Sequence, residues 1–78
     1  MIKGPATIHF NLQGEYIELN KLLKASRLCI TGGAANLAVV QGYVKVDGKL
    51  ETRKTAKIRV GQKIEFNGRV VSVEKESP

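Results

Sequence analysis

Between Gly42 and Lys63 the chain reads GYVKVDGKLETRKTAKIRVGQK. Val44 and Val46 alternate with Tyr43 and Lys45, the period-two pattern of a strand with one face buried. Asp47-Gly48 follows, a two-residue pair suited to the left-handed backbone of a tight β-turn, so the stretch reads as a β-hairpin. Its cations are Lys45, Lys49, Arg53, Lys54, Lys57, Arg59 and Lys63. Against them stand only Asp47 and Glu51, so this segment supplies five of the chain's net charge of +6. Charge gathered this densely works against compaction through self-repulsion, which a bound polyanion offsets. Nucleic acid is the leading candidate partner.

The same periodicities organise the flanks. Downstream, Ile58 and Val60 precede a turn at Val60-Gly61-Gln62, and Ile64 and Phe66 alternate with Lys63 and Glu65. Asn67-Gly68 is a second hairpin signal. Val71 and Val73 form a last strand at about residues 69–74, and Glu74 to Pro78 are expected to fray. Upstream, Gly42 stands where αL geometry favours glycine after a helix end. That helix runs from Gly32 to Gln41 with Thr31 as its N-cap and Ala35, Ala38 and Val39 as its inner stripe. Leu28-Cys29-Ile30 reads as a core plug between helices. Leu19, Leu22 and Leu23 recur at i, i+3, i+4 in an earlier helix from Tyr16 to about Ser26. Asn11 to Glu15 is a turn, and Ala6 to Phe10 alternates as a strand with Ala6, Ile8 and Phe10 inward. Both helices are too short to stand without packing.

The 78 residues make one domain, 1–78, with a thin core. A composition 42% apolar and 26% charged is globular rather than disordered. The sequence pI of about 9.8 favours nucleic acid or another anionic partner. The single cysteine, Cys29, has no disulfide or metal-cluster mate and reads as a buried hydrophobe. Met1 to Pro5 open no signal peptide or membrane span, so a cytoplasmic protein without membrane contact is expected. His9 has no ligand or relay partner nearby, and no phosphate-loop, Ser-His-Asp or paired-carboxylate pattern occurs. No enzyme activity, cofactor or metal is expected, and a monomer is.

Several segments taken in order resemble a known family. They are Leu19-Asn20-Lys21-Leu22-Leu23-Lys24, Gly32-Gly33-Ala34-Ala35, Val39 through Gly48, and Val60-Gly61-Gln62. Together they are similar to the S4 RNA-binding domain, a module of a ribosomal protein, pseudouridine synthases and tyrosyl-tRNA synthetases. The Gly-Gly opening the second helix and the run Glu51-Thr52-Arg53-Lys54 resemble its stand-alone bacterial branch, the YbcJ-type S4-like proteins. The resemblance covers residues 16–66. It implies an α+β fold of S4-like (αL motif) type, a single domain with two short helices packed on a small twisted, mostly antiparallel sheet. It also implies that structured RNA, rRNA or tRNA-like, is gripped by the helix pair and the adjoining hairpin.

The physical reading of the residues agrees. Gly32 and Gly33 lack side chains at a helix N-terminus, where unpaired N–H groups and the helix dipole attract phosphate. Lys21, Lys24 and Arg27 flank that point, and Lys45, Lys49, Arg53, Lys54, Lys57 and Arg59 extend the basic surface across the strands. Asn36 stands on the outer face of the second helix, where the stand-alone branch usually has lysine. Glu18-Leu19-Asn20 replaces the Arg-Leu-Asp of many S4 domains. Binding is therefore expected to lean on the hairpin.

Duller readings stand beside these. Lysines on strand edges discourage edge pairing, Glu51 and Arg53 can pair with each other, and Gly32-Gly33 can serve only as a tight turn. Leu37 and Val40 lie off the inner stripe. Packing beneath the N-terminal strand is the favoured reading for them, and docking of a protein partner is the alternative. Tyr43 is the only aromatic beside the basic strand, so phosphate and shape reading of folded RNA is expected rather than base stacking. The rival functions are a protein-interaction adaptor in a ribonucleoprotein assembly, a nonspecific nucleic-acid binder, and a duplex-DNA binder lacking an arginine on the second helix to read guanine.

Overall fold

Apolar residues at every second position of the strands, and at i, i+3, i+4 of the helices, converge on one core. The computed structural model describes residues 6–76. In chain order its elements are β1 (Ala6–Leu12), β2 (Ile17–Glu18), α1 (Leu19–Ala25), α2 (Gly32–Val40), β3 (Val44–Val46), β4 (Lys49–Leu50), β5 (Lys57–Ile58), β6 (Lys63–Phe66) and β7 (Arg69–Lys75). The main sheet has strand order β1-β7-β6-β3-β4, and β2 pairs with β5 in a second, two-stranded sheet. All pairings are antiparallel except β1 with β7. This is a small α+β domain of the expected class.

Register explains the layering. Val44, Val46, Ile64, Phe66, Val71 and Val73 alternate with polar neighbours and meet the helices, while Lys45 and Glu65 sit opposite each other on the outer face. Leu19, Leu22 and Leu23 of α1 and Ala35 and Val39 of α2 are fully buried against that inner face. No charged or polar residue is buried among the described residues. Burial of each large aliphatic side chain is worth about 1.5–3 kcal/mol relative to exposure. Both hairpins turn as their sequences require. Asp47 and Gly48 have φ of 52° and 83°, and Asn67 and Gly68 have 55° and 78°, left-handed at both central positions as in type I′ turns.

The elements depart from the sequence reading at several points. β1 continues through Asn11 to Leu12, which is buried, because Leu12 keeps the inward alternation of Ile8 and Phe10. Tyr16 to Glu18 are extended rather than helical: Ile17 pairs with Ile58 and Glu18 with Lys57, and α1 starts only at Leu19. Of the supposed core plug, Leu28 and Cys29 pack inward but Ile30 is 90% exposed. Leu37 and Val40 do not pack beneath β1; both remain exposed on α2. Val60 is likewise exposed, and only Ile58 of that pair enters the core. Glu74 and Lys75 are held in β7 by pairing with Asn11 and Leu12. Glu76 lies just past the strand and is exposed, while Ser77, Pro78 and the N-terminal Met1 to Pro5 lie outside the described residues. No helix among the described residues is long and apolar enough to cross a membrane.

Leu23 carries two roles: its side chain is fully buried, and its carbonyl accepts from the amides of Leu28 and Cys29 at 3.0 and 3.2 Å. Leu23→Ala retains the carbonyl bonds but opens a cavity at the α1–sheet junction. It is expected to lower unfolding free energy by about 2–5 kcal/mol, measured by urea denaturation followed by circular dichroism.

Candidate nucleic-acid interface

Two helix N-termini lie close in sequence and are treated differently. The N-cap of α1 is Glu18, whose side chain makes no cap hydrogen bond. Instead the first amides of α1 are satisfied from a distant loop: Leu19 N–H donates to the Ala56 carbonyl and Asn20 N–H to the Lys54 carbonyl, both at 2.9 Å. In α2 the Thr31 hydroxyl accepts from the Ala34 amide at 3.1 Å. The amides of Gly32 and Gly33 find no acceptor among the described residues. They form the open, positive end of a nine-residue helix.

Neither glycine is demanded by the fold. Their φ angles lie outside the left-handed region, and a Cβ built on either meets nothing within 4 Å. A tight-turn role therefore has no steric basis at these positions, and alanine would favour the helix by about 1 kcal/mol at an interior position.

The loop that caps α1 brings part of the basic stretch to the helix pair. Because the Lys54 and Ala56 carbonyls are tied to α1, Arg53 and Lys54 lie beside its first turn. Asn20 in that turn donates its side-chain amide to Asn36 Oδ1 of α2 at 2.8 Å, linking the two helices. Asn36 is thus half-buried at the helix junction instead of standing free on an outer face. Lys21 and Lys24 project from α1, with Lys21 Nζ 3.6 Å from Glu18 Oε1. Arg27 lies one residue beyond the α1 C-cap Ser26, in the left-handed region at φ 65°. Lys24, Arg27, Cys29 and Ile30 line a shallow depression at this end of the helix pair. Burial pushes the Cys29 thiol up, away from the reactive thiolate.

The expected single basic hairpin is in fact three separate pieces. Lys45 belongs to the outer face of the main sheet, opposite Leu50 and Glu65, with Lys49 and Lys63 nearby on β4 and β6. Asp47 is spent there on structure, since its carboxylate accepts from the Lys63 amide at 2.9 Å. Arg53 and Lys54 sit on the capping loop. Lys57 and Arg59 sit on the small β2–β5 sheet, where they flank Tyr16: Lys57 Nζ is 5.0 Å and the Arg59 guanidinium 5.6 Å from the ring centroid. Tyr16, not Tyr43, is therefore the aromatic most closely joined to cations. The sequence reading missed it by placing Tyr16 in a helix; the alternation Tyr16-Ile17-Glu18 was the available signal. Tyr43 and Lys45 instead share a depression of about 190 Å³ with Arg69 at the β3–β6–β7 end, an arginine the sequence reading passed over.

Arg53 is the most strongly paired cation. Its Nε and Nη2 donate to the two Glu51 carboxylate oxygens at 3.0 and 3.2 Å, and its backbone amide also donates to Glu51 Oε2 at 2.9 Å. These bonds hold the Glu51 carboxyl below the usual carboxylate range. His9 is exposed on β1 and pairs with Glu74 at 2.5 Å. Among the described residues no group of three or more His, Cys, Asp or Glu side chains is placed to hold a metal ion.

Comparison with known proteins bears on this arrangement. Residues 10–74 match the model of the S4 domain family. The Escherichia coli (strain K12) protein called "Putative RNA-binding protein YbcJ" is 45% identical over 58 residues, covering 74% of this chain and 83% of that protein. A Shigella flexneri YbcJ matches to the same extent. The solution structure of Escherichia coli YbcJ, described as revealing an αL motif involved in RNA binding, superposes with a TM-score of 0.66 at 38% identity. That superposition covers 95% of this chain and 92% of that one.

The Glu51–Arg53 pair has a defined pH signature. Because the folded-state carboxyl is lowered, the pair's contribution to stability is fully present above the ordinary glutamate pKa of about 4.3 and disappears as pH falls through the lowered value. A carbon-13 titration of the Glu51 carboxyl in Arg53→Gln should show its midpoint raised toward the ordinary range, because the side-chain hydrogen bonds, the largest cause, are lost while the backbone amides of Arg53 and Thr52 remain. A midpoint that stays low would assign the shift to the backbone amides instead.

Proposed function

This chain belongs to the S4 domain family, and from that premise we propose that it binds structured RNA, rRNA or tRNA-like, as a single non-catalytic domain of the cytoplasm. The observation that carries this reading is the open N-terminus of α2. Two glycine amides without acceptors, with no steric need for glycine, leave room for a phosphate to approach the positive end of the helix. Lys24 and Arg27 come from the last turn of α1 and the turn beyond it, on the path to this site, while Lys21, Arg53 and Lys54 stand at the first turn of α1 on the same helix pair. Asn36, tied to Asn20, positions the two helices rather than reaching the RNA first. Lys45, on the outer face of the main sheet, and Lys49 on β4 add to the positive field that steers RNA to the domain. The name of the similar Escherichia coli protein, and the RNA-binding motif ascribed to its structure, support the same assignment.

A second reading has its own observation. Leu37 and Val40 expose 56% and 57% of their surface on α2, which suits a protein partner bound alongside RNA in a ribonucleoprotein. Co-purification with a protein that survives nuclease treatment and is lost in Leu37→Ser/Val40→Ser would establish it.

The principal test is fluorescence anisotropy with an RNA stem-loop and a DNA duplex of matching sequence. RNA is expected to bind in preference at both low and high salt. With about five phosphate contacts, affinity should fall roughly 10²–10³-fold between 50 and 200 mM salt. Equal, salt-fragile binding to both nucleic acids would reduce the activity to a nonspecific footprint.

The glycines and Arg27 separate binding from stability. Gly32→Ala/Gly33→Ala should keep or raise the melting temperature and still weaken RNA binding, because the added methyl groups stand between phosphate and amide. Arg27→Gly should stabilise the domain by about 1 kcal/mol through relief of the left-handed backbone while lowering RNA affinity. A variant that gains stability and binds RNA unchanged would remove Arg27 from the interface.

A further inference from the structure

We infer that the Tyr16–Lys57–Arg59 cluster on the β2–β5 sheet is a second phosphate grip, separate from the α2 N-terminus, that holds a further stretch of the RNA backbone. The inference rests on the RNA-binding reading above and extends it to a surface that reading does not use.

The placement follows from register. Ile17 opposes Ile58 and Glu18 opposes Lys57; Tyr16, just before β2, and Arg59, just after β5, lie at the same end of this small sheet. Ile58 is buried and Ile17 packs on the core, so alternation turns Tyr16, Glu18, Lys57 and Arg59 to the outer face of this small sheet. The one carboxylate on that face is diverted, since Glu18 pairs with Lys21 of α1 instead of with its cross-strand neighbour Lys57. Neither Lys57 nor Arg59 forms a salt bridge among the described residues. What holds them is the tyrosine ring, with both cationic groups inside the roughly 6 Å reach of a cation–π contact. The Arg59 guanidinium also donates to the Glu15 carbonyl at 3.4 Å, and its backbone amide donates to Gln62 Oε1 at 2.7 Å.

Arg53 offers the contrast. Its fork is closed on Glu51 by two side-chain bonds, so an incoming phosphate has to displace a carboxylate to reach it. A ring fixes the position of a cation without cancelling its charge. Lys57 and Arg59 are held near the ring without a carboxylate partner, which leaves their charge for a phosphate and reduces the side-chain freedom lost on binding. A polyanion backbone matches two like charges two residues apart on a strand better than an isolated acidic side chain does.

The experiment measures anisotropy of a fluorescein-labelled RNA stem-loop across a salt series. It compares the wild-type chain with Lys57→Gln/Arg59→Gln, Tyr16→Phe, Tyr16→Leu and, as a reference for the α2 face, Lys24→Gln/Arg27→Gln. Circular dichroism confirms folding of each. The Lys57/Arg59 variant is expected to lose roughly 10–100-fold in affinity, and its salt slope to shrink by about two. Tyr16→Phe, which keeps the ring, should bind as wild type, and Tyr16→Leu should bind several-fold more weakly with an unchanged salt slope. If Lys57→Gln/Arg59→Gln binds as wild type while Lys24→Gln/Arg27→Gln is impaired, the second grip is overturned and the primary reading stands. If the wild-type chain itself fails to bind the stem-loop, the RNA-binding reading falls, and this inference with it.

Discussion

The two hydrogen bonds that run from the first amides of α1 to the carbonyls of Lys54 and Ala56 organise the rest of this molecule. A short helix starting without a side-chain cap exposes amides that need acceptors. Here the acceptors come from a loop more than thirty positions later in the chain. That closure pulls the segment between β4 and β5 off the main sheet and sets it against the helix pair. It also lets β5 pair with the extended residues just before α1. The second sheet, the position of Arg53 and Lys54, and the outward display of Tyr16 all follow from it. It further decides which helix can receive an anion. The N-terminus of α1 is occupied by protein carbonyls, whereas the N-terminus of α2 keeps two glycine amides unclaimed.

Charge in this domain is organised by how each cation is restrained. Every described acidic and basic side chain is at least partly solvated, so no ion pair here stabilises the core, and surface pairs contribute little. Their importance lies in availability to a ligand. Glu18 restrains Lys21, Glu51 restrains Arg53, and Asp47 is committed to the backbone of Lys63. Lys24, Lys54, Lys57 and Arg59 form no salt bridge among the described residues. Lys54, Lys57 and Arg59, in the middle of the sequence run, are therefore available to phosphate, as is Lys24 on α1.

Much of the fold was legible because it rests on local rules. Asp47-Gly48 and Asn67-Gly68 specify left-handed turn pairs, Thr31 caps α2, and Gly42 ends it at φ 86°. The alternation of Val44, Val46, Ile64 and Phe66 sets the sheet's inner face. What escaped was long-range. Nothing near Ile17 announces that it will pair with Ile58, and two-residue strands leave too short a pattern to outweigh the helical spacing of the leucines that follow. The same blind spot governed the site. Residues 42–63 were read as one hairpin because they are contiguous, but the capping of α1 distributes their cations over three surfaces. Leu37 and Val40, expected beneath β1, lie off the inner stripe of α2 and stay exposed, because the i, i+3, i+4 stripe of Ala35, Ala38 and Val39 is the face the helix buries.

The C-termini of the two helices share one backbone arrangement. Both close with the same pair of bonds: Gly42 N–H to Val39 and Tyr43 N–H to Ala38 in α2, and Arg27 N–H to Lys24 and Leu28 N–H to Leu23 in α1, all at 3.0 Å. This is the Schellman arrangement, and in each case the residue after the C-cap is left-handed. In α2 that residue is glycine, which adopts the conformation without strain. In α1 it is Arg27, for which the same geometry costs about 1–2 kcal/mol. Part of that is offset because a cation is favoured at the negative end of a helix. The remainder is not returned by burial, since Arg27 is exposed. What the geometry does secure is a guanidinium held on the turn that leads directly into the open amides of Gly32 and Gly33. A strained, exposed residue on the turn that leads to the α2 N-terminus is what the proposed phosphate site there would account for.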